Sequence, residues 1–179
     1  MKASSPPLVH PLIMLFGSYR GNGKDTLCSF SKFLQAEKYN ACIVEDYDIG
    51  IPHSLGLDAS FACVDACDIA IFVFFNGETI GVDAHLECFD QGPIIEFAYL
   101  CLCKKERTDV QFVFETDARG KESSSLLHQL TKKSPTLGRM KEPIKYPRIN
   151  GDSAEERLAA MRHAILTFCE IRYQERGIH

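Results

Sequence analysis

The chain is 179 residues long, 45% hydrophobic and 25% charged, a size and balance that fit one domain, spanning residues 1–179, with a proper core. Its net charge is −4, its pI is ≈ 5.9, and no segment is dominated by lysine and arginine, which argues against nucleic acid or an anionic membrane as a partner. Residues 1–10 hold Pro6 and Pro7 but no apolar core of signal-peptide length, and no later run is long enough to cross a bilayer, so a flexible tail and a cytoplasmic location are expected.

Apolar strand-like runs alternate with amphipathic stretches along the chain. Residues 11–16 read as a first strand and 24–39 as a first helix with Leu27, Phe30 and Leu34 on one face. A second strand over 41–45, a short helix over 58–67 and a third strand over 69–75 follow, the last so uniformly apolar that both its faces must be covered. Next come a helix over 93–105, a fourth strand over 110–115, a helix around 121–132, a loop over 134–143 and a short fifth strand near 144–148. The last helix opens on Asp152-Ser153-Ala154-Glu155-Glu156 and carries Leu158, Met161, Ile165 and Phe168 as one stripe. Such alternation predicts an α/β fold, a five-stranded parallel sheet with helices on both faces in a three-layer sandwich.

Eight cysteines fall mostly inside apolar runs without a C-x-x-C pair. They read as buried thiols in a reducing compartment, and neither Cys63 with Cys67 nor the group His85, Glu87 and Cys88 has the spacing of a zinc site. No metal is expected.

The stretch after the first strand, Phe16-Gly17-Ser18-Tyr19-Arg20-Gly21-Asn22-Gly23-Lys24-Asp25-Thr26, breaks from an apolar run into a basic, glycine-rich loop and then a helix. Glycines let backbone N–H groups turn toward one anion, the helix start adds its positive end, and Arg20 and Lys24 add full charges. In the G-x-x-x-x-G-K-[ST] register Ser18 replaces the first glycine and Asp25 the magnesium-binding hydroxyl, a role Thr26 could take. A P-loop kinase and a simple strand-to-helix turn therefore stand beside a phosphate cradle of another kind.

In a parallel sheet of this type, ligands bind beyond the carboxyl ends of the strands. That edge gathers the loops 17–24, 46–48, 76–92 and 116–119, with Glu96 just inside the third helix. Glu96 reads as a first-turn acid in the apolar company of Ile94, Ile95, Phe97 and Ala98, placed either to suit the helix dipole or to react.

Four motifs together resemble the nucleoside 2-deoxyribosyltransferase-like superfamily: Phe16-Gly17-Ser18-Tyr19-Arg20-Gly21, Ala66-Cys67-Asp68-Ile69-Ala70-Ile71, Asp90-Gln91-Gly92 and Glu96-Phe97-Ala98-Tyr99. The likeness is strongest to its deoxynucleoside 5'-monophosphate N-glycosidases, with TIR-type NAD-cleaving domains as more distant relatives. It implies a flavodoxin-like, Rossmann-like domain, dimeric or larger, that breaks the N-glycosidic bond of a nucleoside or nucleotide without metal or organic cofactor. By that resemblance Glu96 is the catalytic carboxylate, Asp83 or Asp90 protonates the leaving base, and Gly17, Ser18, Tyr19, Arg20, Gly21, Asn22 and Lys24 with Gly92 hold the phosphate and substrate. A sugar-binding aspartate before the third strand has two candidates, Asp58 and Asp65. A nucleotide-sensing domain that keeps the pocket without turnover is the other alternative.

Overall fold

The computed structural model describes residues 10–48, 50, 56–75, 77, 79–81, 91–103, 108–115, 144–146 and 153–178. The expected helix at 121–132, the loop at 134–143 and the strand-end segment 116–119 lie outside them, as do Asp83 and Asp90.

Four strands form the body of an α/β sheet: β1 (Ile13–Gly17), β2 (Ala41–Ile43), β3 (Ile69–Phe74) and β4 (Asp109–Glu115). A three-residue segment, β5 (Ile144–Tyr146), pairs with Val113, Phe114 and Glu115 on the outer edge of β4. The short fifth strand expected over 144–148 is thereby cut back to a three-residue edge pairing beside the four strands. All pairings are parallel, in the order β2-β1-β3-β4-β5, one of the common doubly wound orders. The helices are α1 (Gly23–Ala36), α2 (Leu57–Ala66), α3 (Gln91–Cys103) and α4 (Ala154–Glu175).

Alternation along β3 explains why helices cover both faces. Ile69, Ile71 and Val73 join Ile13 and Leu15 of β1 in a core closed by Leu27, Phe30 and Leu34 of α1 and by Met161, Ile165 and Phe168 of α4. Ala70 and Phe72 point the other way, into a core with Met14 and Phe16, Cys63 and Val64 of α2, and Phe97 and Leu100 of α3. Successive side chains leave a strand on opposite faces, so the apolar run 69–73, fully buried throughout, serves both layers. Each such Ile, Val or Phe stabilises the fold by about 1.5–3 kcal/mol relative to exposure. Phe72 stacks on Phe16 at 4.9 Å between centroids and meets Phe97 edge-on at 5.5 Å.

Three expectations shift in detail. The second strand stops at Ile43 because Val44–Asp46 wind into a single 3-10 turn. The third helix starts at Gln91: Gly92 and Pro93 enter its first turn, where proline's missing N–H costs nothing. Glu96 consequently lies in the second turn, beyond the strongest influence of the helix dipole. In α4 the buried stripe begins with Arg157, while Leu158 is only partly buried. A reciprocal capping box starts that helix, with the Glu156 N–H donating to Ser153 Oγ at 3.2 Å and the Ser153 N–H to Glu156 Oε2 at 2.8 Å.

At the amino edge of the sheet, the last turns of α4 clasp three strand starts. The Tyr173 hydroxyl donates to the Pro11 carbonyl at 3.0 Å. Arg176 Nη2 donates to Asp109 Oδ2 at 2.9 Å and to the Asp68 carbonyl at 3.3 Å. Asp68 Oδ2 in turn accepts from the Leu12 N–H at 2.9 Å. No described helix is long and apolar enough to cross a membrane.

Candidate functional site

At the carboxyl end of β1 a cleft of ≈ 170 Å³ opens between the loop after β1, the 3-10 turn after β2, and helices α2 and α3. Leu15, Phe16, Val44 and Pro93 give it apolar walls, and Gly17, Tyr19, Ser60, Gly92 and Glu96 complete it. It lies beside the β1/β3 boundary, where the strand order reverses direction.

Glu96 is 8% exposed, a carboxylate in mostly apolar surroundings. It comes from α3 just after the Gly92-Pro93 start, with Phe97 beside it anchored in the core of Ala70 and Phe72. Its charge reaches two neighbours. Burial first, then the Glu45 carboxylate, and then Glu96 push the Tyr19 phenol far above its ordinary value. The Cys63 thiol is pushed up to about 11 by burial and then by Glu96. Tyr19 and Cys63 therefore stay protonated at neutral pH. The Tyr19 hydroxyl is buried; the Glu45 backbone approaches it without completing a hydrogen bond, so the oxygen has no partner among the described residues. A buried hydroxyl at the wall of a cleft is open to a hydrogen bond from a water or a ligand group.

Two glycines fix the loop. A Cβ on Gly17 would stand 2.9 Å from the Val73 carbonyl oxygen and 3.0 Å from the Leu27 methyls, and one on Gly23 would overlap the Ser18 carbonyl. Gly21 takes the left-handed conformation, at φ 51°. The chain therefore turns tightly enough to bring the start of α1 beside the end of β1.

Most of the backbone N–H groups expected to face an anion are spent within the protein. The Arg20 N–H donates to the buried Ser18 Oγ at 3.2 Å, the Asn22 N–H to the Ile80 carbonyl at 2.8 Å and the Gly23 N–H to the Arg20 carbonyl at 2.8 Å. Among the described residues no acceptor serves the N–H groups of Tyr19 and Gly21, and the first turn of α1 adds its own orphan donors. Arg20 is exposed and pairs with no described carboxylate. Lys24 instead forms a salt bridge with Glu45 and lies 6.0 Å from the centre of the Tyr19 ring. That carboxylate, through its hydrogen bond, raises the Lys24 pKa.

The structure thus brings Gly17, Tyr19, Gly92 and Glu96 together at the cleft and sets Ser18, Arg20, Gly21, Asn22 and Lys24 on the adjoining loop. Asp83 and Asp90 lie outside the described residues. Of the two sugar-site candidates, Asp58 is exposed in the first turn of α2, and Asp65 is exposed and accepts the Tyr99 hydroxyl at 3.0 Å; neither lines the cleft. Thr26 is committed as well, its hydroxyl donating to the Asn22 carbonyl at 2.8 Å, a poor arrangement for the magnesium ligand of a P-loop.

The thiols follow expectation only in part. Cys42, Cys63, Cys67 and Cys169 are buried, Cys28 and Cys101 are partly exposed, and Cys103 is exposed. Among the described residues no group of His, Cys, Asp and Glu is arranged to hold a metal.

A second polar group, absent from the motif reading, sits at the end of β4. Glu115 Oε1 accepts from Arg157 Nε and from the Thr79 hydroxyl, each at 2.6 Å, and Arg157 Nη2 reaches the Thr79 oxygen at 3.2 Å. Glu115 is 1% exposed and Arg157 5%. The sequence carries a faint signal for both: an acid closing an apolar strand, and an arginine four residues before Met161 on the buried stripe of the last helix. No protein-family model matches this chain, and neither a curated protein nor a solved structure does.

Proposed function

We propose that this chain cleaves the N-glycosidic bond of a nucleotide or nucleoside, by hydrolysis or transfer, as a flavodoxin-like relative of the deoxynucleoside 5'-monophosphate N-glycosidases. The observation that carries the reading is Glu96, an acid buried to 8% exposure in a small cleft at the carboxyl edge of a parallel sheet, next to a glycine-turned loop bearing Arg20 and Lys24. A carboxylate there can attack the anomeric carbon as the bond to the base breaks, forming a glycosyl ester that water then opens. The electron pair of the broken bond leaves with the base, which takes a proton from Asp83 or Asp90. Apolar walls keep bulk water from competing with that attack.

Gly21, the exposed Arg20 and the start of α1 suit the 5'-phosphate, and the leftover Tyr19 hydroxyl suits a polar group of the sugar or base. The kinase alternative is weakened by Thr26 and by the Lys24–Glu45 pair. A homo-oligomer belongs to the same reading, supported by the exposed Leu57 of α2 and Ile95 and Leu102 of α3.

The test is chromatographic detection of free base from deoxy- and ribonucleoside 5'-monophosphates, nucleosides and NAD, with Glu96→Gln in parallel. Release by the wild type that falls at least about a hundredfold in the variant is expected. Release that persists in Glu96→Gln refutes the assignment of the carboxylate. Tight nucleotide binding without any release selects a sensor instead.

A further inference from the structure

We propose that Thr79 is a positioning residue for phosphate recognition, fixing the loop after β1 from the buried Arg157–Glu115 pair. The inference rests on the phosphate half of the reading above. It starts from the specification of one hydroxyl on both sides. Thr79 Oγ1 donates to Glu115 Oε1 at 2.6 Å and accepts from Arg157 Nη2 at 3.2 Å. Both partners belong to rigid elements, Glu115 closing β4 and Arg157 in the first turns of α4, and both are buried. A side chain gripped by two such groups holds its backbone in one place.

The next residue passes that placement on. Ile80 is 2% exposed and seated in the same core as Leu27 and Phe30, and its N–H closes a turn onto the Gly77 carbonyl at 3.2 Å. Its own carbonyl accepts the Asn22 N–H at 2.8 Å. Asn22 stands between Gly21, the left-handed residue of the loop, and Gly23, the first residue of α1. The Ile80 carbonyl therefore sets which way the Gly21 N–H and the first turn of α1 face. An anion held by a few backbone donors loses affinity steeply when they swing by a fraction of an ångström, because each charge-assisted bond depends on distance and angle.

The contacts lead from Thr79 through Ile80 to the loop after β1, so the effect to look for is on the phosphate. Thr79→Val keeps the shape, removes the donor to Glu115 and leaves Arg157 Nη2 without that acceptor; Thr79→Ser keeps the hydroxyl. Thermal melting first verifies that both variants fold. Inorganic phosphate is then titrated by calorimetry into the wild type and both variants, and base release is followed with nucleoside 5'-monophosphates and the matching nucleosides.

The expected result is about tenfold weaker phosphate binding in Thr79→Val, an equal rise in KM for the monophosphate with kcat nearly unchanged, an unaltered KM for the nucleoside, and recovery in Thr79→Ser. Wild-type phosphate affinity in Thr79→Val overturns the proposal, as do equal losses on both substrates or a Thr79→Ser as defective as the valine. A wild type that binds phosphate yet releases no base refutes the glycosidase reading, and the phosphate titrations then decide the role of Thr79 alone. A wild type that binds no phosphate refutes the role of Thr79, and base release from the nucleosides then decides the glycosidase reading by itself.

Discussion

Replacing Arg157 by Met is expected to be among the most damaging single changes outside the apolar core. The guanidinium is 5% exposed, the carboxylate it meets 1%, and their contact is 2.6 Å. Removing one member of such a pair leaves a charge in a region that water does not reach, at a cost of about 3–5 kcal/mol. Against a total stability on the order of 5–15 kcal/mol, that is a large share. For a chain of this length, about 2–4 °C are lost per kcal/mol, so the midpoint should fall by roughly 6–20 °C. The companion variant Glu115→Leu should lose a similar amount, whereas the double variant should lose less than either. Two apolar side chains then fill the space of the pair and no lone charge is left behind; the loss that remains comes from the polar groups that faced the pair, the Thr79 hydroxyl among them. Urea denaturation of the four proteins, followed by circular dichroism at one pH, measures the coupling. Losses that simply add in the double variant would refute the argument, since additivity means that the two groups do not depend on each other.

Gly23→Ala should destabilise the protein by about 1–3 kcal/mol, because the added methyl overlaps the Ser18 carbonyl, and should weaken phosphate binding by displacing the start of α1; unchanged denaturant midpoints would count against the loop geometry. Glu45→Gln releases Lys24 from its salt bridge and should improve affinity for inorganic phosphate a few-fold, more at low than at high salt; weaker binding would show that the pair instead orders the loop. Stability should also fall in alkali. Burial lifts Cys63 to about 11 and Cys42 and Cys169 to about 12 from 9.0, so above pH 9 the unfolded chain sheds protons that the folded chain retains, and their contribution is lost as pH rises from about 9 through those values. Melting curves across that window should drop less steeply in Cys63→Ala than in the wild type, and parallel curves would refute the attribution.

How much of this was legible in the sequence depended on whether a signal was periodic or relational. The run Ile69-Ala70-Ile71-Phe72-Val73 announces a strand covered on both faces, because a short apolar run rich in β-branched residues suits an extended chain buried on two sides, and the structure divides it between two cores. Leu27, Phe30 and Leu34 are equally readable as one helix face. Glu96 was readable as an acid among apolar neighbours, but its turn was not, because a proline two residues into a helix looks from the sequence like the helix start. The loop's glycines pointed to a tight turn. That its Asn22 and Gly23 N–H groups are consumed by carbonyls could not be read, since one partner, Ile80, is distant in the chain and contributes only backbone. Arg157 was hidden for a related reason: a charge on an apolar stripe makes sense only once Glu115 is known to lie opposite.

The clasp of α4 on the amino edge has a consequence for biosynthesis. Tyr173 reaches back across 162 positions to Pro11, and Met161, Ile165 and Phe168 complete, with α1, the cover over Ile69, Ile71 and Val73. While the chain is being made, β1, β3 and β4 leave the ribosome well before that cover exists. For that interval the growing chain carries a bare greasy surface with parallel strands that close only slowly. Yield in a cell should therefore depend on holding chaperones during translation more than the finished protein's stability would suggest, and slowing synthesis should not help, since this part of the cover follows every strand in chain order.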